Sequence, residues 1–160
     1  MFREILIYTS AFIACFAVSF YIMSYLSTAH ERPKPIPKKR LPKVSIIIPA
    51  WNEEKGIGET IQSLGKMDYP KDKLEIVVVD DGSKDNTYKE ALKYKSKNVK
   101  VFRKKVNGGK FTALNFGIKH STGEIIVSTD ADNLTVSPDA LEKMVYYFAD
   151  PEVMCVAPSM

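Results

Sequence analysis

Residues 75–83 read EIVVVDDGS. Residues 76–79 are β-branched and apolar, a run too short for a stable helix and suited to a strand buried on both faces. The run stops abruptly at Asp80, Asp81, Gly82 and Ser83, which are turn-forming residues. The same design recurs on either side. Residues 44–49 (VSIIIP) run into Ala50-Trp51-Asn52-Glu53-Glu54, and residues 99–102 lead to Asn107-Gly108-Gly109-Lys110. Residues 124–129 (EIIVST) run into Asp130-Ala131-Asp132-Asn133, and 153–157 is a candidate fifth strand. Between the runs, 58–67, 87–97, 110–120 and 137–148 read as helices. The last has Ser137 as N-cap, Pro138 at the first helical position and Asp139 in the first turn. Strand–helix alternation predicts an α/β fold with a mainly parallel sheet flanked by helices. Ligands of such sheets bind beyond the carboxyl ends of the strands, so the four polar clusters are expected to share one site.

The chemistry of those clusters is complementary. Asp130 and Asp132 are two apart, and in an extended segment both side chains project to one side. Converging carboxylates repel unless a cation lies between them; Mg²⁺ or Mn²⁺ prefers oxygen ligands and bridges to phosphates. Lys110, after two glycines and at a helix start, suits an anion. The P-loop pattern is absent. Asp80 and Asp81 can accept hydrogen bonds from a base or ribose, or 81–83 is simply a turn with Asp85 capping the next helix. Glu53 is a further candidate, and Glu54 is expected to point to solvent. Trp51 either stacks on a ring or covers the sheet end. His30 and His120 read as ordinary surface or helix-end residues, the Tyr146-Tyr147-Phe148 cluster as core and helix surface, and the lysines of 84–105 as solvated faces.

The chain's 23 basic and 19 acidic residues leave a net charge of +4, but the surplus is local. Residues 30–43 carry six basic side chains against Glu31, whereas 44–160 carry sixteen against seventeen acids. The folded part therefore lacks the electrostatic footprint of a nucleic-acid binder. With 45% hydrophobic residues the chain is not an extended disordered one, and two cysteines exclude a disulfide scaffold. Residues 5–29 contain no formal charge and are long enough to span a bilayer. Tyr8, Tyr21 and Tyr25, near the two ends of the span, suit the membrane interface. The following Lys/Arg cluster predicts an N-terminus outside and residues 30–160 in the cytoplasm, by the positive-inside rule. Pro33, Pro35, Pro37 and Pro42 favour an extended spacer. Cys15 in the span and Cys155 beyond it are expected not to pair, and the Asn133-Leu134-Thr135 sequon is expected to stay unmodified in the cytosol. The expected organisation is an anchor at 1–29, a basic juxtamembrane linker at 30–43 and a ligand-binding domain at 44–160.

Taken together, VSIIIPAWNEE, VVVDDGSKDNT, NGGKFTALNFGI and GEIIVSTDADN, in that order, resemble the nucleotide-sugar-binding half of family 2 glycosyltransferases, with its Rossmann-like GT-A fold. NGGKFTALNFGI is most similar to membrane-bound polysaccharide synthases of the poly-N-acetylglucosamine/hyaluronan type, and slightly less to dolichyl- or undecaprenyl-phosphate sugar transferases. The resemblance implies that Pro49, Ala50 and Glu53 line the nucleotide pocket, with Trp51 where the family usually has tyrosine. It implies that Asp81, with Asp80 beside it, contacts the base, and that Lys110 approaches the diphosphate or base region. It also implies that Asp130 contacts ribose or sugar and that Asp132 binds Mg²⁺ or Mn²⁺, with Asp130 a second candidate ligand. The implied activity is inverting transfer from a nucleotide-diphosphate sugar, UDP-linked by preference, to a polysaccharide or lipid-phosphate acceptor. The family's general base and its Q-x-x-R-W motif lie beyond the D-x-D and are not found up to Met160. The base is therefore expected beyond Met160, in a longer product or in a partner chain that supplies the acceptor half. Two alternatives compete: a non-catalytic or split-enzyme donor-binding module, and an aspartate-nucleophile phosphatase using Asp130 with Asp132 as acid. Against the phosphatase, Leu134 replaces that motif's Thr/Val and the motif follows a fourth strand.

Overall fold

The computed structural model describes residues 2–28, 33–133 and 137–157. His30, Leu134 and Thr135 lie outside the described residues. The chain divides into two compact units, Met1–Lys34 and Pro35–Met160. The first is dominated by helix α1 (Phe2–Thr28). Its segment Phe2–Leu26 has a mean hydropathy of 2.1 and is unburied, so by length and composition it is apolar enough to cross a membrane.

The second unit is a four-stranded parallel sheet in the order β3-β2-β1-β4. Its strands are β1 (Val44–Ala50), β2 (Leu74–Asp80), β3 (Val99–Arg103) and β4 (Ile125–Ser128). The helices between and after them are α2 (Ile57–Gly65), α3 (Thr87–Leu92), α4 (Lys110–His120) and α5 (Ala140–Tyr146). β1 and β2 are central and buried along their whole length, which explains their unbroken apolar runs. On one face α4 packs through Ala113 against Ile47, Val77 and Val79. Gly117 allows this approach, because a Cβ there would collide with the Ile47 side chain. On the other face Ile57, Ile61, Leu64, Leu141 and Val145 pack onto Ile46, Ile48 and Val78. Leu41, just ahead of β1 and 2% exposed, belongs to this core.

Three expectations are corrected here. Residues 153–157 form no strand among the described residues, and Met154 is 92% exposed. The final helix starts at Ala140, not Ser137, because the Ser137 hydroxyl donates to the Asp139 carboxylate and so caps nothing. Helix α3 ends at Leu92, where its last turn tightens to i→i−3 bonds such as Lys95 N–H to the Leu92 carbonyl.

At the amino ends of the strands, the buried carboxylate of Glu75 accepts bonds from Ser45 Oγ (2.5 Å) and Thr122 N (2.8 Å) and pairs with Lys100 (2.6 Å). Burial alone would push the Glu75 carboxyl up, but Lys100, Ser45 and Thr122 outweigh it and hold the group at about 2. This knot ties β1, β2, β3 and the turn before β4 together at the base of the sheet.

Candidate functional site

A cavity of about 580 Å³ opens at the opposite end, beyond the carboxyl ends of the strands. Pro49, Ala50, Trp51, Glu53, Asp81, Lys110, Asp130 and Asp132 all line it, joined by Asn107, Gly109 and Ala131. Its size falls in the ordinary small-molecule range. Asp80 does not line it. Asp80 is fully buried, accepts a bond from Ser83 N (3.1 Å) and has Oδ2 3.1 Å from Arg103 Nε, without hydrogen-bond alignment. Arg103 also lies over the Tyr88 ring, so Asp80 faces α3. Successive side chains at a strand end point to opposite faces, which sends Asp81 the other way, toward the cavity.

The walls are built by hydrogen bonds between loops. The loop after β1 is laced to the loop after β2. Asn52 N donates to Ser83 Oγ (2.9 Å), Glu53 N to Thr87 Oγ1 (2.7 Å) and Glu54 N to Asp85 Oδ2 (3.1 Å). In return Lys84 N donates to Asn52 Oδ1 (2.9 Å) and Asn86 N to Glu54 Oε2 (3.0 Å). Asn52 takes a left-handed φ of 57°, which asparagine tolerates. Glu54, expected in solvent, is thus half-buried and spent on this lacing. Asp85 accepts bonds from Thr87 N and Oγ1, the first residue of α3; against the upward pull of burial, these bonds lower its carboxyl pKa.

The loop after β3 is clamped to Asp81. Gly108 N donates to both Asp81 carboxylate oxygens (3.2 Å each), and Lys104 Nζ bonds Asp81 Oδ1 and Thr112 Oγ1. Gly82, at φ 71°, lies against Asn107, and a Cβ there would meet the Asn107 nitrogen at 2.8 Å. The sequence reads Lys104 as part of a solvated face, yet its side chain is only 17% exposed. Lys100, in the same stretch, is likewise engaged, by Glu75. His120 stacks on Phe116 and accepts no role at the cavity.

Asp130 and Asp132 lie on a turn after β4, not in the extended segment expected; Asn133 N reaches the Asp130 carbonyl at 3.4 Å. Both aspartates still line the cavity, while Ala131 between them also belongs to the core at 4% exposure. Lys110 Nζ, from the start of α4, pairs with Asp130. Among the described residues no three His, Cys, Asp or Glu side chains converge as a metal cage. Two carboxylates on one turn instead fit Mg²⁺ or Mn²⁺ shared with a substrate's phosphates, since such ions are commonly held by one or two carboxylates plus phosphate and water.

Residues 45–160 match the family model for glycosyl transferase family 2. The chain belongs to that family. Among curated relatives it is 43% identical over 115 residues to the probable glycosyltransferase YdaM of Bacillus subtilis, covering 69% of this chain and 26% of YdaM. It is 42% identical over 93 residues to the poly(ribitol-phosphate) β-N-acetylglucosaminyltransferase TarS of Staphylococcus aureus, covering 57% and 16%. With human dolichyl-phosphate β-glucosyltransferase it shares 41% identity over 112 residues, covering 64% and 34%. Among solved structures, the mannosyltransferase PcManGT of Pyrobaculum calidifontis in complex with GDP-Man and Mn²⁺ superposes with a TM-score of 0.70 at 34% identity, over 88% of this chain and 44% of that one. TarS 1–349 in complex with UDP-GlcNAc gives 0.61 at 37% identity, over 67% and 31%. The fold is therefore GT-A-like. The chain spans a sixth to a third of these curated relatives. They do not single out the poly-N-acetylglucosamine/hyaluronan-type synthases, and family membership leaves the phosphatase reading without support.

Proposed function

We propose that residues 44–160 form the donor-binding half of an inverting glycosyltransferase, carried by a membrane anchor at 1–29 and a basic linker at 30–43. The observation that carries this reading is the convergence of Asp81, Lys110, Asp130 and Asp132 on one cavity in a family 2 chain. In this reading Pro49, Ala50, Trp51, Glu53 and Asp81 receive the nucleoside, with Asp80 bracing Asp81 from behind. Lys110 turns from Asp130 to the diphosphate, helped by the N-terminus of α4. Asp132, with Asp130, holds Mg²⁺ or Mn²⁺; when bound, the ion supplies positive charge where the nucleoside diphosphate departs. That PcManGT is solved with GDP-Man and Mn²⁺, and TarS with UDP-GlcNAc, supports a nucleotide-sugar donor, UDP-linked by preference. The names of TarS and the dolichyl-phosphate enzyme support a polymer or lipid-phosphate acceptor. The acceptor half, in the same polypeptide or in a partner chain, supplies the general base. The apolar helix Phe2–Leu26 and the cations after it support an N-out, single-pass topology with the cavity in the cytoplasm.

The test is calorimetric titration of the detergent-solubilised full chain with UDP and with GDP, with and without Mn²⁺. Mn²⁺-supported binding is expected, and Asp132→Asn should weaken it about 10-fold or more. An unchanged affinity in Asp132→Asn would remove the metal assignment, and no nucleotide binding by the wild-type chain would remove the donor-site reading.

The same convergence of Asp81, Lys110, Asp130 and Asp132 on one cavity also fits a second reading, a donor-binding module without turnover of its own. Sugar transfer or donor hydrolysis by the purified chain would exclude it.

A further inference from the structure

Thr60 sits in the first turns of α2 and is fully buried. A β-branched residue is not a favoured choice inside a helix, and a threonine hydroxyl there usually bonds the carbonyl one turn back. Here the hydroxyl donates instead to the carbonyl of Ala131, 71 residues away, at 2.7 Å. That carbonyl belongs to the residue between Asp130 and Asp132. Among the described residues, Thr60 is the group outside the 130–133 turn that hydrogen-bonds its carbonyls. The turn's own bond, from Asn133 N to the Asp130 carbonyl, is long at 3.4 Å. Gly56, at the start of the same helix, abuts the same stretch: a Cβ there would stand 3.4 Å from the Ala131 oxygen and 3.6 Å from Asp132 Cα.

We infer that Thr60 is a positioning residue for the metal-binding pair, acting through the Ala131 carbonyl, with Gly56 adjoining the same turn at ordinary contact distance. The inference rests on the donor-site reading above. The Ala131 carbonyl lies in the peptide plane that ends at Asp132 Cα, so fixing it fixes where the Asp132 side chain leaves the backbone and restrains the turn that carries Asp130. The Ala131 methyl in the core supplies the second fixed point. Asp130 is half exposed and has little else to hold it once Lys110 turns to a ligand. An anchored pair binds the ion without the ordering that a loose pair would undergo, as with groups that orient metal ligands elsewhere.

Thr60→Val removes the hydroxyl at constant shape, and Thr60→Ser keeps the hydroxyl while removing the methyl. Both are compared with wild type by calorimetric UDP titration of the full chain with and without Mn²⁺, and by Mn²⁺ titration followed by electron paramagnetic resonance. The valine variant is expected to lose about 10-fold in Mn²⁺-supported affinity, with metal-free UDP affinity and thermal midpoint moving much less, and the serine variant is expected to recover most of the loss. Equal impairment of the two variants would make the effect one of packing and overturn the inference, as would a valine variant that binds Mn²⁺ like wild type. Should the valine variant fail to fold, Gly56→Val pushes on the same turn from outside the core, and the φ of −99° at Gly56 accepts any residue. It should show the same selective loss, and metal-supported binding at the wild-type level would again overturn the proposal. A wild-type chain that binds UDP without any response to Mn²⁺ would instead point to failure of the metal reading beneath it.

Discussion

Two lysine–aspartate pairs bracket the same short loop between β3 and α4. Lys104 with Asp81 fastens its start to β2, and Lys110 with Asp130 spans from its end to the turn after β4. The chemistry is identical and the surroundings are not. Asp81 is 3% exposed and also takes the Gly108 N–H, whereas Asp130 is 51% exposed and Lys110 54%. A buried pair is costly to break, because the partner left behind is an uncompensated charge. An exposed pair contributes little to stability and exchanges partners cheaply. One wall of the cavity is therefore fixed by a buried pair, and the other carries its charges in an exposed pair that can change partners.

The sharpest way to break this contrast is Lys104→Met. It should cost about 4 kcal/mol of stability in chemical denaturation and loosen nucleotide binding with it. A loss below about 1 kcal/mol, the range of exposed pairs, would place Lys104 with Lys110 and erase the distinction. Next comes the buried carboxylate far from the cavity. Glu75 is held at about 2 against an ordinary 4.5, so its contribution is complete above pH 4.5 and is lost as pH falls toward 2. The size is about 3 kcal/mol. Acid titrations of stability for wild type and Glu75→Gln should converge at low pH, and parallel curves would show that the knot does not depend on that charge. The smallest effect is expected for Lys110→Met. Stability should change by less than about 0.5 kcal/mol, while affinity for UDP falls about 5-fold and affinity for uridine does not, as the charge acts on phosphate. A stability loss as large as that of the Lys104 variant would show the two pairs to be equivalent after all.

The sheet was legible because its strands are β-branched runs that end in turn residues, and each predicted strand from 44 to 129 lies within a residue or two of its counterpart. The run at 153–157 (VMCVA) is also apolar but has only two β-branched residues, and a strand needs a neighbour as well, which composition does not supply. The polar clusters could be brought to one end of the sheet because parallel topology requires it. The partners were harder. Lys104, Thr60, Ser83 and Thr87 act on residues 23 to 71 positions away, and nothing local marks a lysine or threonine for such a contact. The division between Asp80 and Asp81 was readable in principle. Strand alternation sends adjacent side chains to opposite faces, and β3 ends in register with Arg103 opposite Asp80.

Trp51 is the chain's one tryptophan, and it stands half exposed on the rim of the cavity. Its indole emission thus originates at that rim, with no second indole elsewhere in the chain to dilute it. The molecule carries its own optical reporter of whatever enters the cavity, and occupancy can be followed in the full chain without attaching a dye.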